Sequence, residues 1–292
     1  MSSKQPKSAV IAIIGKPNVG KSTLLNSIIG QKLSIVTPKA QTTRNVINGI
    51  TSIGNTQLVF LDTPGIFEAK RIVDKGIVKQ AWACLNCADL IIVLLDACEQ
   101  INDYTIKILD RVYEKKSNTI IVINKIDVKN NHLVQILQYF VSRNTTAIFQ
   151  ISALHGRGVD SLLDYLVRKA LPRDWAWDNE YITSLPMRFL ASELTREQLF
   201  LHLHAELPYG LTVENEAWEE FNNGSIKVHQ VIMVASINHK KIILGKNGSM
   251  IKSIGTNMRT QFEAIYGIKI HLFLFVKVKP KLLDNEQLFN SV

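Results

Sequence analysis

The stretch GKPNVGKS, Gly15 to Ser22, constrains this chain more than any other. It lies between an apolar β-branched run, AVIAIIG, and a segment with helical spacing, STLLNSIIG. A strand that ends in glycines and feeds directly into a helix turns several backbone N–H groups, and the positive end of the helix dipole, toward one point. The spacing G-x-x-x-x-G-K-[ST] adds a lysine for the β- and γ-phosphates of a nucleotide and a hydroxyl for Mg²⁺. Gly15, Lys16, Pro17, Asn18, Val19, Gly20, Lys21, Ser22 and Thr23 are therefore the expected phosphate-binding residues, with Lys21 on the phosphates and Ser22 on the metal.

The apolar run before the loop has successors. TQLVFLD, DLIIVLLDA, NTIIVINK and TAIFQISA follow, separated by segments of helical spacing such as Thr105 to Tyr113 and Val159 to Ala170. Continuous β-branched runs alternating with helices predict a doubly wound α/β domain, with a mostly parallel sheet covered on both faces. It is expected over residues 9–172, after a disordered N-terminus over 1–8. No apolar run approaches the ~20 residues that span a bilayer, and the longest, LIIVLLDAC, contains Asp96. The opening MSSKQPKSAV is polar and basic, unlike a cleavable signal, so a soluble cytoplasmic protein is expected. Cys84, Cys87 and Cys98 make no disulfide framework, and the C-x-x-C of the first two has no second pair at zinc-ribbon spacing.

Three short motifs stand at the ends of later strands. Asp62, Thr63, Pro64 and Gly65 (DTPG) follow LVFL; Asp62 can hold the Mg²⁺ shell and the Gly65 N–H can reach a γ-phosphate. Asn124, Lys125 and Asp127 belong to NKID, where the Asp127 carboxylate can accept from guanine N1 and N2, a donor pair that adenine lacks. Ser152, Ala153 and Leu154 (SAL) can close over the base, a backbone N–H meeting guanine O6. Any one of these would be an ordinary polar loop, but together and in this order they resemble the sequence set of the translation-factor-like P-loop GTPases. Between Ser22 and Asp62, the polar stretch TPKAQTTRN occupies the place of the first switch, where Thr42 or Thr43 would complete the metal shell; the resemblance favours Thr43.

After DTPG stands Ile66, where many GTPases have a glutamine that orients the attacking water. Isoleucine can neither donate nor accept, so slow intrinsic hydrolysis is expected. Asn18 resembles the asparagine with which some relatives hold K⁺ beside the phosphates, the cation acting where an arginine finger otherwise would. The other reading is that Asn18 only shapes the loop.

The pattern changes at LPRDWAWDNEYITSLP, a linker over 173–186. Charge changes with it: residues 173–220 carry 3 basic and 10 acidic side chains, whereas 221–292 carry 10 basic and 3 acidic, within a chain of formal net charge +9. A net +7 over that last stretch suits a polyanionic partner. At its centre, ILGKNGSMIK holds a second glycine loop, but GKNG lacks the four-residue spacer and the lysine-serine pair and cannot wrap a β-phosphate. It is a G-x-x-G, with Gly245, Lys246, Asn247 and Gly248 in the loop, Lys240 and Lys241 before it, and Lys252 and Arg259 after it. Ile242, Ile243, Met250, Ile251 and Ile254 can seat its flanking helices. Such a loop fits the RNA-binding KH domain.

The order helix, strand, strand, helix, G-x-x-G, helix, strand is that of the type II KH topology, expected as a smaller α+β domain over 187–281 with a tail at 282–292. In the last strand, IKIHLFLFVKVK, Lys269, His271, Phe273, Phe275, Lys277 and Lys279 share one face. They either touch nucleic acid or pack under another element, and His271 reads as a surface residue. PMRFLASELTREQLFLHLHAELPYGLTVE is similar to the segment that opens the KH domain of the Era family of GTPases, and GKPNVGKSTLLN, KAQTTR, DTPGI, NKID, SAL and ILGKNGSMIKSIG extend the resemblance from Ala9 to about Lys281.

Membership of that family implies a GTPase that binds 16S ribosomal RNA near its 3′ end through the KH domain and assists small (30S) subunit assembly. It implies a monomer with Mg²⁺, and K⁺ if Asn18 holds it, as cofactors. It also implies peripheral association with the cytoplasmic face of the cell membrane, for which no anchor is visible. The alternatives are a GTPase of another RNA-related pathway and a nucleotide-switched RNA-binding module with negligible turnover.

Overall fold

The computed structural model describes residues 5–39, 42–68, 72–114, 118–129, 132–141, 147–204 and 207–280, so the tail at 282–292 lies outside it. The chain forms two units, Met1–Ser34 with Thr43–Ser184, and Ile35–Thr42 with Leu185–Val292.

Unit 1 contains β1 (Lys7–Ile14), α1 (Lys21–Ile29), β2 (Ile47–Ile53), β3 (Thr56–Asp62), α2 (Ile72–Ala83), β4 (Leu90–Asp96), α3 (Asp103–Tyr113), β5 (Asn118–Asn124), α4 (Leu133–Val141), β6 (Ile148–Gln150), α5 (Val159–Lys169) and β7 (Leu171–Pro172). The sheet runs β2-β3-β1-β4-β5-β6. β1 is parallel to β3 and β4, β4 to β5 and β5 to β6, while β2 is antiparallel to β3. β1 begins within the stretch expected to be disordered, and its first residues pair antiparallel with β7. The central strands are apolar throughout because both faces are covered; Ile13, Ile92 and Val122 have no exposed surface. Parallel order has a functional consequence: the loops after β1, β3, β5 and β6 all emerge at the carboxyl end of the sheet, which is where α/β sheets bind ligands.

β2 was not anticipated. Gly49 and the polar Thr51 and Ser52 dilute its apolar pattern, and α1 packs close over Gly49, where an added Cβ would meet Leu25 Cδ1 at 2.6 Å and displace that side-chain tip. The linker is also more ordered than its composition suggests. Buried Gln57 accepts at Oε1 from Ala176 N (3.0 Å) and Trp177 N (3.3 Å) and donates from Nε2 to Trp177 O (2.7 Å). Ile50 N donates to Ile182 O at 2.7 Å, and Thr183 Oγ1 donates to Asn48 O at 2.7 Å. Residues up to Ser184 thus belong to unit 1.

Unit 2 contains α6 (Met187–His202), β8 (Leu211–Glu220), β9 (Ile226–Val234), α7 (Ile237–Leu244), α8 (Ser249–Tyr266) and β10 (Ile270–Val278). Its sheet runs β10-β9-β8, with β10 parallel and β8 antiparallel to β9. Leu199, Ile232 and Ile254 form one part of the core, and Val228, Met258 and Phe262 another. α6 is buried along Leu190 to Phe200 despite carrying Glu193, Thr195, Arg196, Glu197 and Gln198. Pairing makes this tolerable. Arg196 Nε donates to Glu193 Oε1 at 2.8 Å, and Thr195 Oγ1 to Gln230 Oε1 at 2.6 Å.

Residues 35–42, which sequence places inside the nucleotide-binding domain, group instead with unit 2. Val36 N donates to Glu197 Oε1 at 2.9 Å, while Glu197 Oε2 accepts from Gln261 Nε2 of α8 at 2.8 Å. The Lys39 ammonium donates to the carbonyls of Phe200 and Leu203, which the end of α6 leaves without helical partners.

Candidate functional site

The loop after β1 is built around positions that exclude side chains. At Gly15 an added Cβ would lie 2.4 Å from Leu94 O, and at Gly20, with φ +100°, 2.3 Å from Asn124 Nδ2. Asn18 takes a left-handed φ of 62°. Lys21 is buried, and its ammonium donates to the carbonyls of Lys16 (2.8 Å) and Gly15 (3.2 Å), folding back over the loop that α1 continues. Burial lowers its pKa to about 8, against the opposing pull of Asp62.

Oxygen donors gather beside it. Ser22 Oγ donates to Asp62 Oδ2 at 2.7 Å and lies 3.0 Å from Thr43 Oγ1, while Ser34 Oγ donates to Asp62 Oδ2 at 2.8 Å. Burial pushes the Asp62 carboxyl above its usual range, opposed by Lys21 and the two serine hydroxyls. Asp62 Oδ1 is buried with no hydrogen-bond partner. Thr43, rather than Thr42, joins this cluster; Thr42 Oγ1 donates to Lys39 O at 3.4 Å. Ser34 was not anticipated, since nothing in its spacing distinguishes it from a loop serine.

DTPG closes on the first loop. Thr63 Oγ1 donates to Ile13 O at 2.8 Å, which occupies this hydroxyl structurally. A Cβ on Gly65 would meet Pro17 Cα at 2.9 Å, and Ile66 N donates to Gly15 O at 2.9 Å. Ile66 is 2% exposed and packs in the core cluster with Ile14 and Val93, so its side chain is committed to the core.

Asn124 joins three loops: its Nδ2 donates to Val19 O at 2.8 Å and its Oδ1 accepts from Ala153 N at 2.9 Å. Lys125, at φ 64°, pairs with Asp96 at 2.5 Å. Asp127 is held below the usual carboxylate range, first by a hydrogen bond from the Ser152 hydroxyl. His155, not singled out from sequence, lies 3.8 Å from it. Leu154 is 74% exposed. An acidic acceptor beside a loop of backbone donors can read a base edge with two adjacent N–H groups.

In unit 2, Gly245 and Gly248 have φ of 71° and 74°, and Asn247 lies between them at φ 52°. A Cβ on Gly245 would meet Met250 Cβ at 2.7 Å. Lys241, Lys246, Asn247 and Lys252 are exposed, while Lys240 is partly covered, as is Arg259, whose Nη2 donates to Thr256 Oγ1 at 3.1 Å. Ile243 and Ile254 are buried as expected, but Ile242 is 52% exposed and turns to solvent beside the lysines.

A family model described as 50S ribosome-binding GTPase matches residues 10–125, and one described as KH domain matches residues 206–282. GTPase Era of Rickettsia canadensis is 48% identical over 291 residues, covering 99% of this chain and 98% of the relative. The chain belongs to the Era family of GTPases. GTPase Era of Rickettsia conorii is also 48% identical, covering 97% of this chain and 84% of its own length. A crystal structure of Era in complex with MgGDPNP and nucleotides 1506–1542 of 16S ribosomal RNA matches with a TM-score of 0.89 at 35% identity, covering 94% of each chain. As in the Era family, a P-loop GTPase domain with a mostly parallel sheet is followed by a KH domain. Among the described residues no helix is long and apolar enough to cross a membrane.

Proposed function

We propose that this protein hydrolyses GTP and, through its KH domain, binds 16S ribosomal RNA near its 3′ end to assist small-subunit assembly. The observation that carries the reading is the oxygen cluster of Ser22, Thr43 and Asp62 beside Lys21, in a chain that also exposes GKNG. The Era structure of similar fold holds MgGDPNP and 16S RNA, which supports both halves.

Mg²⁺ fits here: hydroxyl and carboxylate oxygens are its preferred ligands, and the unpartnered Asp62 Oδ1 is a buried acceptor in need of a cation. Ser22 and Thr43 would coordinate it, with Asp62 in its shell, and the metal would supply neutralisation of the β- and γ-phosphate charge. Lys21 exchanges its loop carbonyls for phosphate oxygens, the backbone N–H groups from Gly15 to Thr23, of which Pro17 has none, bind the phosphates, and Gly65 N–H meets the γ-phosphate. Asp127 reads guanine N1 and N2, Lys125 packs along the base, and Ser152, Ala153 and Leu154 close over it.

Asn18 is the residue that would hold K⁺, offsetting the absence of a polar residue at Ile66. Turnover equal in Na⁺ and K⁺ would remove that role. Release and capture of RNA follow the nucleotide: Ser34 and Thr43, at the Asp62 and Ser22 oxygens, flank the segment bonded to Glu197 on α6. At the RNA site Lys240, Lys241, Lys246, Lys252 and Arg259 meet phosphates, while Gly245, Asn247 and Gly248 admit the backbone. The protein acts as a monomer in the cytoplasm and meets the inner membrane only peripherally, through basic surface; sedimentation and flotation on anionic vesicles test both.

The decisive experiment is crosslinking of the protein to small subunits with a slowly hydrolysed GTP analogue, followed by mapping of the RNA. Crosslinks near the 3′ end of 16S RNA that vanish in Lys246→Asp/Asn247→Asp, with GTP binding intact, are expected; crosslinks elsewhere overturn the reading. The burial of Ile66 favours one second reading, an RNA-binding switch with negligible turnover. Single-turnover hydrolysis with and without ribosomal RNA separates the two.

A further inference from the structure

The sheet of unit 2 has two unlike faces. Val228, Ile232 and Leu272 lie in the core under the helices, whereas the alternate residues of β9 and β10 face the other way. On that side Phe273 is 45% and Phe275 47% exposed, so neither packs under another element. The His229 ring lies between them, its centroid 4.9 Å from Phe273 and 5.9 Å from Phe275, tilted by 48° and 41° rather than stacked. Phe221, just past β8 and 38% exposed, meets His271 edge-on at 6.2 Å. Further along the same face Val231 and Met233 are buried, and the open aromatic area ends there. Leaving a phenylalanine in water forfeits roughly 1.5–3 kcal/mol of burial, so exposed neighbouring rings call for an occupant.

We propose that this face is a second RNA track, on which bases of the strand gripped at GKNG stack on Phe273 and Phe275. It rests on the RNA reading of GKNG given above. Stacking needs flat apolar rings and the backbone needs cations, and β10 with its flanks carries both, since exposed Lys277 on the strand and exposed Lys269 and Lys279 directly before and after it continue the alternation of the phenylalanines. β10 is the edge strand, and α7 and α8, the helices on either side of GKNG, pack on its other face, so a strand gripped at GKNG reaches the phenylalanines by passing around the β10 edge. Charge sets its direction. The exposed carboxylates of the sheet, Glu214, Glu216, Glu219 and Glu220, all lie on β8 at the opposite edge, which leaves the β10 edge to a polyanion. Lys277 pairs with Glu216, and Lys227 with Glu219 at 3.3 Å. Exposed pairs of this kind contribute about 0–1 kcal/mol and exchange readily for phosphates.

The test uses the full chain and two labelled single-stranded RNAs, a tetranucleotide that fills only the G-x-x-G clamp and a longer oligonucleotide that continues past it, measured by fluorescence anisotropy. Phe273→Ala/Phe275→Ala is expected to weaken the longer RNA about 10- to 100-fold, the loss of stacking for one or two bases, and to leave the tetranucleotide unchanged. Phe273→Tyr/Phe275→Tyr keeps the ring faces and retains the affinity. Unchanged binding of the longer RNA overturns the track and leaves the face to a protein partner; equal weakening of both RNAs overturns it as a distinct surface. Lys246→Asp/Asn247→Asp reports separately: tetranucleotide binding that survives it removes the reading of GKNG instead.

Discussion

Asn124 reaches from the end of β5 to the first loop and donates to the carbonyl of Val19 at 2.8 Å. Because its other amide atom accepts from Ala153 N, one side chain holds the phosphate loop and the base loop together. Asn124→Ala leaves two buried backbone groups unpaired, each costing about 1–3 kcal/mol. Guanine nucleotide affinity is expected to fall by 10-fold or more and the melting temperature to drop, as fluorescent GDP titration and thermal unfolding will read. Retained affinity would mean the two loops are fixed by other contacts.

Supplying the missing glutamine at position 66 is not expected to restore fast hydrolysis. Ile66 is 2% exposed among Ile14 and Val93, so the amide of Ile66→Gln is buried in an apolar cluster at a cost of about 1–3 kcal/mol. The variant should melt earlier with single-turnover hydrolysis no faster than that of the parent protein. A rate gain would show that the loop can turn this position outward.

Gly245→Ala should separate the two activities. At φ 71° and ψ 177° the backbone lies in a region open essentially only to glycine, which costs a residue with a Cβ about 1–3 kcal/mol, and that Cβ would also meet Met250 Cβ at 2.7 Å. RNA affinity is expected to fall by about 10-fold or more, with GTP binding unchanged, in parallel titrations.

The three thiols should react unequally. Cys84 is buried, and burial pushes its thiol from 9.0 up to about 11, whereas Cys87 and Cys98 are exposed. Cys98 is also raised, by burial and then by the Asp96 carboxylate, so alkylation of the native protein is expected in the order Cys87, Cys98, Cys84. The sign for stability follows: a thiol whose folded pKa lies above its unfolded value costs nothing below pH 9.0 and destabilises the fold progressively between pH 9.0 and about 11. Cys84→Ala should flatten that alkaline loss in denaturation measured across this window.

The motifs of the nucleotide site were legible because each follows a strand whose apolar run announces it, and parallel order then brings those loop ends together. Strand β2 was not legible, since Gly49 interrupts its apolar pattern where Leu25 packs close, a contact that only α1 reveals. Between Thr42 and Thr43 residue type alone carries no signal; the resemblance favoured Thr43, and it is the Thr43 hydroxyl that turns toward Ser22. Ile242 misled for a related reason: an isoleucine reads as core, yet here the helix rotates it outward beside Lys241. Gln57 reads as a solvent-facing amide, and nothing in the linker sequence shows that Ala176 N and Trp177 N donate to it.

The return of residues 35–42 to unit 2 bears on how this protein can be cut. A fragment ending at Ser184 keeps Ser34 and Thr43 but loses Glu197 and the α6 carbonyls that take Val36 and Lys39, while a fragment beginning at Leu185 exposes those carbonyls and the Glu197 carboxylate to water. Severing the linker therefore does not yield two self-sufficient halves.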